Sequence, residues 1–386
     1  MIYLDANATT PLDPAVMSAM MPALREVFAN PSSVHKPGQD ARSLVDRARE
    51  QCGTALDCDP RELVFTSGGT ESDALALRGL ARRKVVTTAV EHPAVLGACA
   101  ELERSGVEVI RIPVDGEGRL DLAALEAALP GANLCSAMAA NNETGVLFPL
   151  ERIGELCRRH RVPFHTDAVQ AVGKMPVRVR QLPIDLLSCS AHKIGGPKGA
   201  GLLWVRRGLQ LAPVQVGGHQ ERGRRAGTEN VAAIVGLGEA LERAAAALGS
   251  EMPRLAALRD RLEGVARRIP GARIAGADTP RVSNTLNVAF EGCEGETLLV
   301  ALDLAGVAVS TGSACSSGSL EPSPVLLAMG YSPQLARGAV RFSLWSGTTA
   351  EQIDEVCALL PGVVERCRSR PGSLVEPAVP SASKAR

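Results

Sequence analysis

From about residue 60 to residue 205 the chain alternates short β-rich runs with helical patterns, and this alternation narrows the choice of fold more than any other feature. The runs ELVFTSG, KVVTTAV, VEVIRI, NLCSAMAA, VPFHTDA, IDLLSCS and GLLWV are rich in apolar and β-branched residues and read as strands. Between several of them lie HPAVLGACAELERSG and LERIGELCRRH, which read as helices ending in Gly or a basic residue. Strands that alternate with helices imply an α/β fold, a mostly parallel sheet covered by helices on both faces. In such sheets ligands bind at the carboxyl ends of the strands.

Beyond residue 205 the rhythm changes. An Ala-rich stretch predicts a helix from Asn230 to Leu248, ended by Gly249, Ser250 and Pro253, with a second helix after it. RVSNTLNVAF and GAVRFSLW then read as strands and GETLLVALDLAG as a helix, so a smaller α+β domain is expected from about residue 255. The 386 residues leave room for two or three cores at about 150 residues per domain. Lys plus Arg and Asp plus Glu number 42 each, so there is no basic excess for nucleic acid or an anionic membrane surface. MIYLDANATTPLD has no basic stretch before an apolar core, and no apolar run approaches the roughly 18 residues of a membrane span, so a cytoplasmic protein is expected.

The ten cysteines contain no C-x-x-C pair, and several sit in apolar runs such as LLSCS and NLCSAMAA. They read as small core residues in a reducing compartment, and no metal site is expected. Cys315 departs from that pattern. In STGSACSSGSLEPS, residues 310–323, it has no large apolar neighbour before Leu320 and is expected to be exposed on a mobile loop. An exposed loop thiol is an accident or a reagent, and the segment alone leaves both readings open.

Several segments carry groups suited to chemistry. Lys193, in SAHKIGGPKG, follows a strand with glycines behind it, where a partly desolvated amine can form a Schiff base; a surface loop lysine is the plainer reading. Asp167, in HTDAVQ, ends another strand and either meets a cation or caps a helix. In FTSGGTESDALAL a strand ends at Gly68 and Gly69 and a helix starts near Thr70, a cradle for one phosphate monoester. His92, in VEHPAV, lies at a strand-to-helix junction, and Thr228 follows a basic, Gly-rich loop in GRRAGTEN. Arg341 lies in the strand GAVRFSLW and needs a carboxylate partner there. Singly, His92 reads as a cap and Arg341 as a structural ion pair. Together the groups offer an amine for an aldehyde, a carboxylate for a ring nitrogen, a helix terminus for a phosphate and a flat face for a ring, and pyridoxal phosphate has all four features.

The ordered set YLDANATTP, FANPSSVHKPG, FTSGGTES, EHPAV, NNETG, HTDAVQAVGK, SAHKIGGPKG, RRAGTEN, NTLN, SACSSGSLEPS and VRFSL resembles the cysteine desulfurases of the class-V aminotransferase family, from residue 2 to about 355. The resemblance implies a fold-type I pyridoxal-phosphate enzyme. Residues 1–14 would form an N-terminal segment packing with the small domain, 15–254 a large cofactor-binding domain, 255–369 the small domain carrying the Cys315 loop, and 370–386 a disordered tail. It implies that Lys193 holds the cofactor covalently, His92 stacks on its ring and moves protons, and Asp167 pairs with the ring nitrogen. Gln170 and Asn142 would bond the phenolic oxygen, with Asn142 also near the substrate carboxylate. Gly69, Thr70, Ser190 and His192 would hold the phosphate, and Thr228 would reach the phosphate of a second subunit, making the enzyme a homodimer. Arg341 would bind the carboxylate of L-cysteine and Cys315 would take its sulfur as a persulfide, leaving L-alanine.

SSGSLEPSPVLLAMG is similar to the long-loop branch that serves iron–sulfur scaffolds, so a scaffold or other sulfur-acceptor protein is the expected partner. Ala74 and the pair Trp345 and Ser346 depart from the pattern, and the tail beyond Glu355 matches poorly. A selenocysteine lyase keeps the same cofactor groups. An aminotransferase has no use for Cys315, and a plain sulfur carrier none for Lys193 or Asp167.

Overall fold

The computed structural model describes residues 1–311 and 321–369. Cys315 and the 370–386 tail lie outside the described residues. The strands are β1 (Ile2–Tyr3), β2 (Leu63–Thr66), β3 (Lys84–Thr88), β4 (Glu108–Ile112), β5 (Leu134–Ser136), β6 (Phe164–Asp167), β7 (Leu186–Ser190), β8 (Gly201–Val205), β9 (Ala272–Ile274), β10 (Thr285–Phe290), β11 (Val307–Ala308) and β12 (Ala339–Ser343).

β2 to β8 form one seven-stranded sheet in the order β2-β8-β7-β6-β5-β3-β4. It is the mostly parallel sheet that the alternation predicts, with β8 running antiparallel to both its neighbours. Every residue of β2, β5, β6, β7 and β8 is buried, which is why the β2 and β8 runs are nearly continuous in apolar residues, whereas β6 buries His165, Thr166 and Asp167. Gly201 lets β8 pass close to the β2 turn, since a Cβ there would stand 2.6 Å from Gly68 Cα. The β5 strand is shorter than NLCSAMAA suggests: the Met138 N–H turns to the Glu91 carboxyl (2.9 Å), while the Ala137 and Ala139 N–H groups still bond the His165 and Asp167 carbonyls.

A smaller antiparallel sheet, β12-β10-β9, and a parallel pair, β1-β11, belong to a second core. That core joins Ile2 and Leu4 to Leu258, Leu286, Phe290, Phe342 and Val356. Residues 325–339 instead contribute Val325, Leu326, Met329 and Tyr331 to the main core.

The two helices expected around residue 250 are one. Val231–Ala266 runs unbroken for 36 residues through Gly249 and Pro253. Ala233, Ile234, Leu237 and Leu241 bury in the main core and Leu255, Leu258, Leu262 and Ala266 in the second, so tertiary burial at both ends outweighs the local cost of the proline.

Candidate active site

Five of the residues singled out in the sequence, Gly69, His92, Asp167, Ser190 and Lys193, lie along the carboxyl ends of the strands. Asp167 is the last residue of β6 and Ser190 the last of β7; Lys193 closes the short turn Ala191–Lys193 after it. His92 follows β3, and Gly69 opens the helix Gly69–Leu80 after β2. Four loops from four strands thus meet on one side of the sheet, each carrying one of the groups.

Ser190 faces the glycine turn: a Cβ on Gly68 would lie 3.8 Å from Ser190 Oγ, and one on Gly69 would lie 2.7 Å from Val169 Cγ2. Ser190 Oγ is buried and has no hydrogen-bond partner among the described residues. An orphaned hydroxyl beside the N-terminal N–H groups of a twelve-residue helix is the donor set a phosphate takes, so these residues fit the group. His192 bonds Thr9 Oγ1 through Nδ1 at 3.1 Å, and burial, then the nearby Lys193, Lys198 and Lys174 charges, pushes its pKa down to about 4. It is a neutral ring near pH 7. Thr70 is exposed. Thr228 is also exposed, on a loop that Arg225 fastens to Glu71 at 2.8 Å.

Asp167 is 5% exposed, and its Oδ1 accepts the Val169 N–H at 2.9 Å. Burial raises its pKa, while the His92 and Lys193 charges act the other way. His92 caps the helix Pro93–Arg104 through Nδ1, which accepts the Ala94 N–H at 3.1 Å; burial lowers its pKa. The cap and the active-site reading therefore hold together: an accepting Nδ1 places the proton of the neutral ring on Nε2. Two further buried carboxyls lie near Asp167. Burial pushes Glu91 up to about 8, and Asp73 is raised well above the usual range by burial and then by Asp167. Glu91 is thus a neutral acid at pH 7.

Lys193 Nζ donates to the carbonyls of Asn7 (2.5 Å) and Ala8 (2.8 Å). Gln170 Nε2 donates to the same Asn7 carbonyl at 3.0 Å, and Gln170 Oε1 accepts from Lys174 Nζ. Arg341, 2% exposed in β12, gives NH2 to Asp5 Oδ1 (2.8 Å) and NH1 to the Asn142 carbonyl (3.0 Å). Its Nε and Asn142 Oδ1 are buried with no partner among the described residues, a donor and an acceptor left for an incoming molecule. The expected carboxylate partner of Arg341 is thus Asp5.

Asn7, Asp5, Lys174, Glu91 and Asp73 carry no individual role in the sequence reading. Asn7 and Asp5 stand in the quoted YLDANATTP, where an Asn and an Asp among apolar and hydroxyl residues are a signal of buried polar structure.

The family model for Aminotransferase class-V matches residues 2–356. A curated cysteine desulfurase of Cereibacter sphaeroides is 50% identical over 380 residues, covering 95% of this chain and 97% of the relative. Among solved structures, a NifS-like protein is 36% identical with a TM-score of 0.88, covering 95% of this chain and 99% of its own. A NifS-like protein from Rickettsia africae is 32% identical, with a TM-score of 0.87 over the same shares of the two chains.

Proposed function

The chain belongs to the class-V aminotransferase family, and from that premise we propose that it is a pyridoxal-phosphate-dependent cysteine desulfurase. The observation that carries the reading is the meeting of Lys193, Asp167, His92, Ser190 and Arg341 at the carboxyl edge of one sheet and the small sheet beside it. Pyridoxal phosphate supplies an aldehyde for Lys193 and an electron sink for the carbon beside the substrate amine.

The chain supplies the rest. Gly69, Thr70, Ser190 and His192 would hold the phosphate, and Asp167 would pair with the ring nitrogen. The His92 and Lys193 charges and the Val169 N–H favour the charged form of Asp167 against its burial. Gln170 and Asn142 would orient the phenolic oxygen. Arg341 Nε would meet the carboxylate of L-cysteine with Asn142 near it, and His92 would move the proton. The Cys315 thiolate attacks the substrate sulfur; the substrate carbon–sulfur bond breaks, its electron pair stays with the carbon fragment, and protonation gives L-alanine beside a Cys315 persulfide.

We also read the enzyme as a cytoplasmic homodimer that hands sulfur to an iron–sulfur scaffold or another acceptor protein. No helix among the described residues is long and apolar enough to cross a membrane. Dimerisation is supported by Phe28 (88% exposed), Val34 (88%) and Val216 (79%), which flank in sequence Ser32 and His219, lining residues of one 440 Å³ cavity that also takes in Glu229 beside Thr228. A second copy would cover this surface and receive Thr228 at its phosphate. The large domain at 15–254 would then carry the cofactor and the small one at 255–369 would present Cys315.

The test is turnover of L-cysteine with a reducing thiol, alanine and sulfide being quantified for the wild type and Cys315→Ala. Equal yields, abolished in the variant while the visible cofactor band persists, are expected. Pyruvate and ammonia as products, or a fully active variant, would overturn the reading.

A further inference from the structure

Asn7 sits where the two sheets meet and is 2% exposed. Its backbone N–H donates to Ser343 Oγ at 2.9 Å. Its Nδ2 donates to Thr285 Oγ1 (2.9 Å) and to the Asn142 carbonyl (3.1 Å). Oδ1 accepts from Lys174 Nζ (2.9 Å) and Asn284 Nδ2 (3.2 Å). The Asn7 carbonyl takes the Lys193 amine and the Gln170 amide.

An asparagine side chain has two donor hydrogens and one carbonyl oxygen with two lone pairs, and here all four places are filled. The direction of the amide is fixed by its neighbours, because the Asn142 carbonyl can only accept and must face Nδ2. Rotating or withdrawing the side chain would leave buried groups unpaired, so the backbone it carries is held in place. Lysine is the opposite case: four rotatable bonds and a compact charge give its amine no direction of its own. The Asn7 and Ala8 carbonyls supply it.

We propose that Asn7 is a positioning residue for Lys193: its side chain pins the turn after β1 to both sheets, and the carbonyls so fixed aim the amine into the cofactor site. The proposal rests on reading Lys193 as the lysine that takes the cofactor. Through Asn284, Thr285 and Ser343 it also makes the small sheet a support of the large sheet's lysine.

The test strips the wild type, Asn7→Ala and Asn7→Ser of cofactor and reloads them with pyridoxal phosphate. Borohydride trapping with peptide mass spectrometry gives the rate of capture at Lys193, the pH midpoint of the visible band is titrated, and thermal stability is read alongside. Asn7→Ala is expected to load Lys193 about tenfold more slowly, with a shifted midpoint, because small misplacements of a reacting atom are costly. Asn7→Ser, which keeps a short hydroxyl, is expected to fall between. Should Asn7→Ala fail to fold, Asn7→Ser decides by the same two readouts. A lowered melting temperature with unchanged rate and midpoint would make Asn7 structural only and overturn the proposal. Trapping at a residue other than Lys193 in the wild type would overturn the reading beneath it, and is told apart by the labelled peptide.

Discussion

Arg341 is among the largest fully buried side chains of the protein, and a guanidinium there must be matched in both charge and geometry. Asp5 and the Asn142 carbonyl satisfy two of its nitrogens, and Nε is buried with no partner among the described residues, as the proposed contact with the substrate carboxylate requires. Lysine at this place keeps the charge but loses the planar fork. Arg341→Lys is therefore expected to raise KM for L-cysteine and lower kcat/KM by roughly tenfold to a hundredfold, the worth of about 1.5–3 kcal/mol for a charged hydrogen bond. Steady-state kinetics check this, and an unchanged KM would remove Arg341 from substrate binding. The places of Lys193, Asp167 and His92 after strands were legible from the strand-like runs before them. The partners were not: that Arg341 meets Asp5, 336 positions away, follows from the isolated bridges of Asp5 to Ser343 and of Ser310 to Arg341. Local spacing carries no information about such pairings.

At the scale of the element, the helix Val231–Ala266 decides how the two cores are joined. Gly249 and Pro253 mark a break in the sequence, yet the helix continues because each half has its own buried face. Gly249 is exposed, and a Cβ on it would meet nothing within 4 Å. Gly249→Ala is thus expected to stabilise the fold by about 0.5–1 kcal/mol by restricting the unfolded chain and favouring the helix, read as a higher denaturation midpoint in urea. A lower midpoint would mean that the glycine serves a local distortion. The strands came through more faithfully than this helix. Their period and length are set by burial between two helical layers, which an apolar run reports directly. A helix that crosses from one core to another depends on what lies at its far end.

Across the whole molecule, the acids buried beneath the site tie stability to pH. Folding raises Glu91 to about 8 and Glu143 to about 7, both chiefly by burial, so near pH 7 the native chain holds protons that the unfolded chain has released. Stability contributed in this way is full below the ordinary carboxyl range and is lost as pH rises through the folded values. From about pH 7 to about pH 8 the wild type should therefore lose stability faster than Glu91→Gln, by on the order of 1 kcal/mol per pH unit. Denaturation of both chains at the two pH values tests this, and parallel losses would show Glu91 ionised in the native state. The sequence by itself determined the α/β class and the strands of the main sheet, because strand burial and turn chemistry act over a few residues. Tertiary structure alone decided that helix 231–266 is continuous, that Asp5 holds Arg341 and that Asn7 fastens the Lys193 amine between two sheets. Those outcomes depend on which distant buried groups come within 3 Å of one another, and only the folded chain sets that distance.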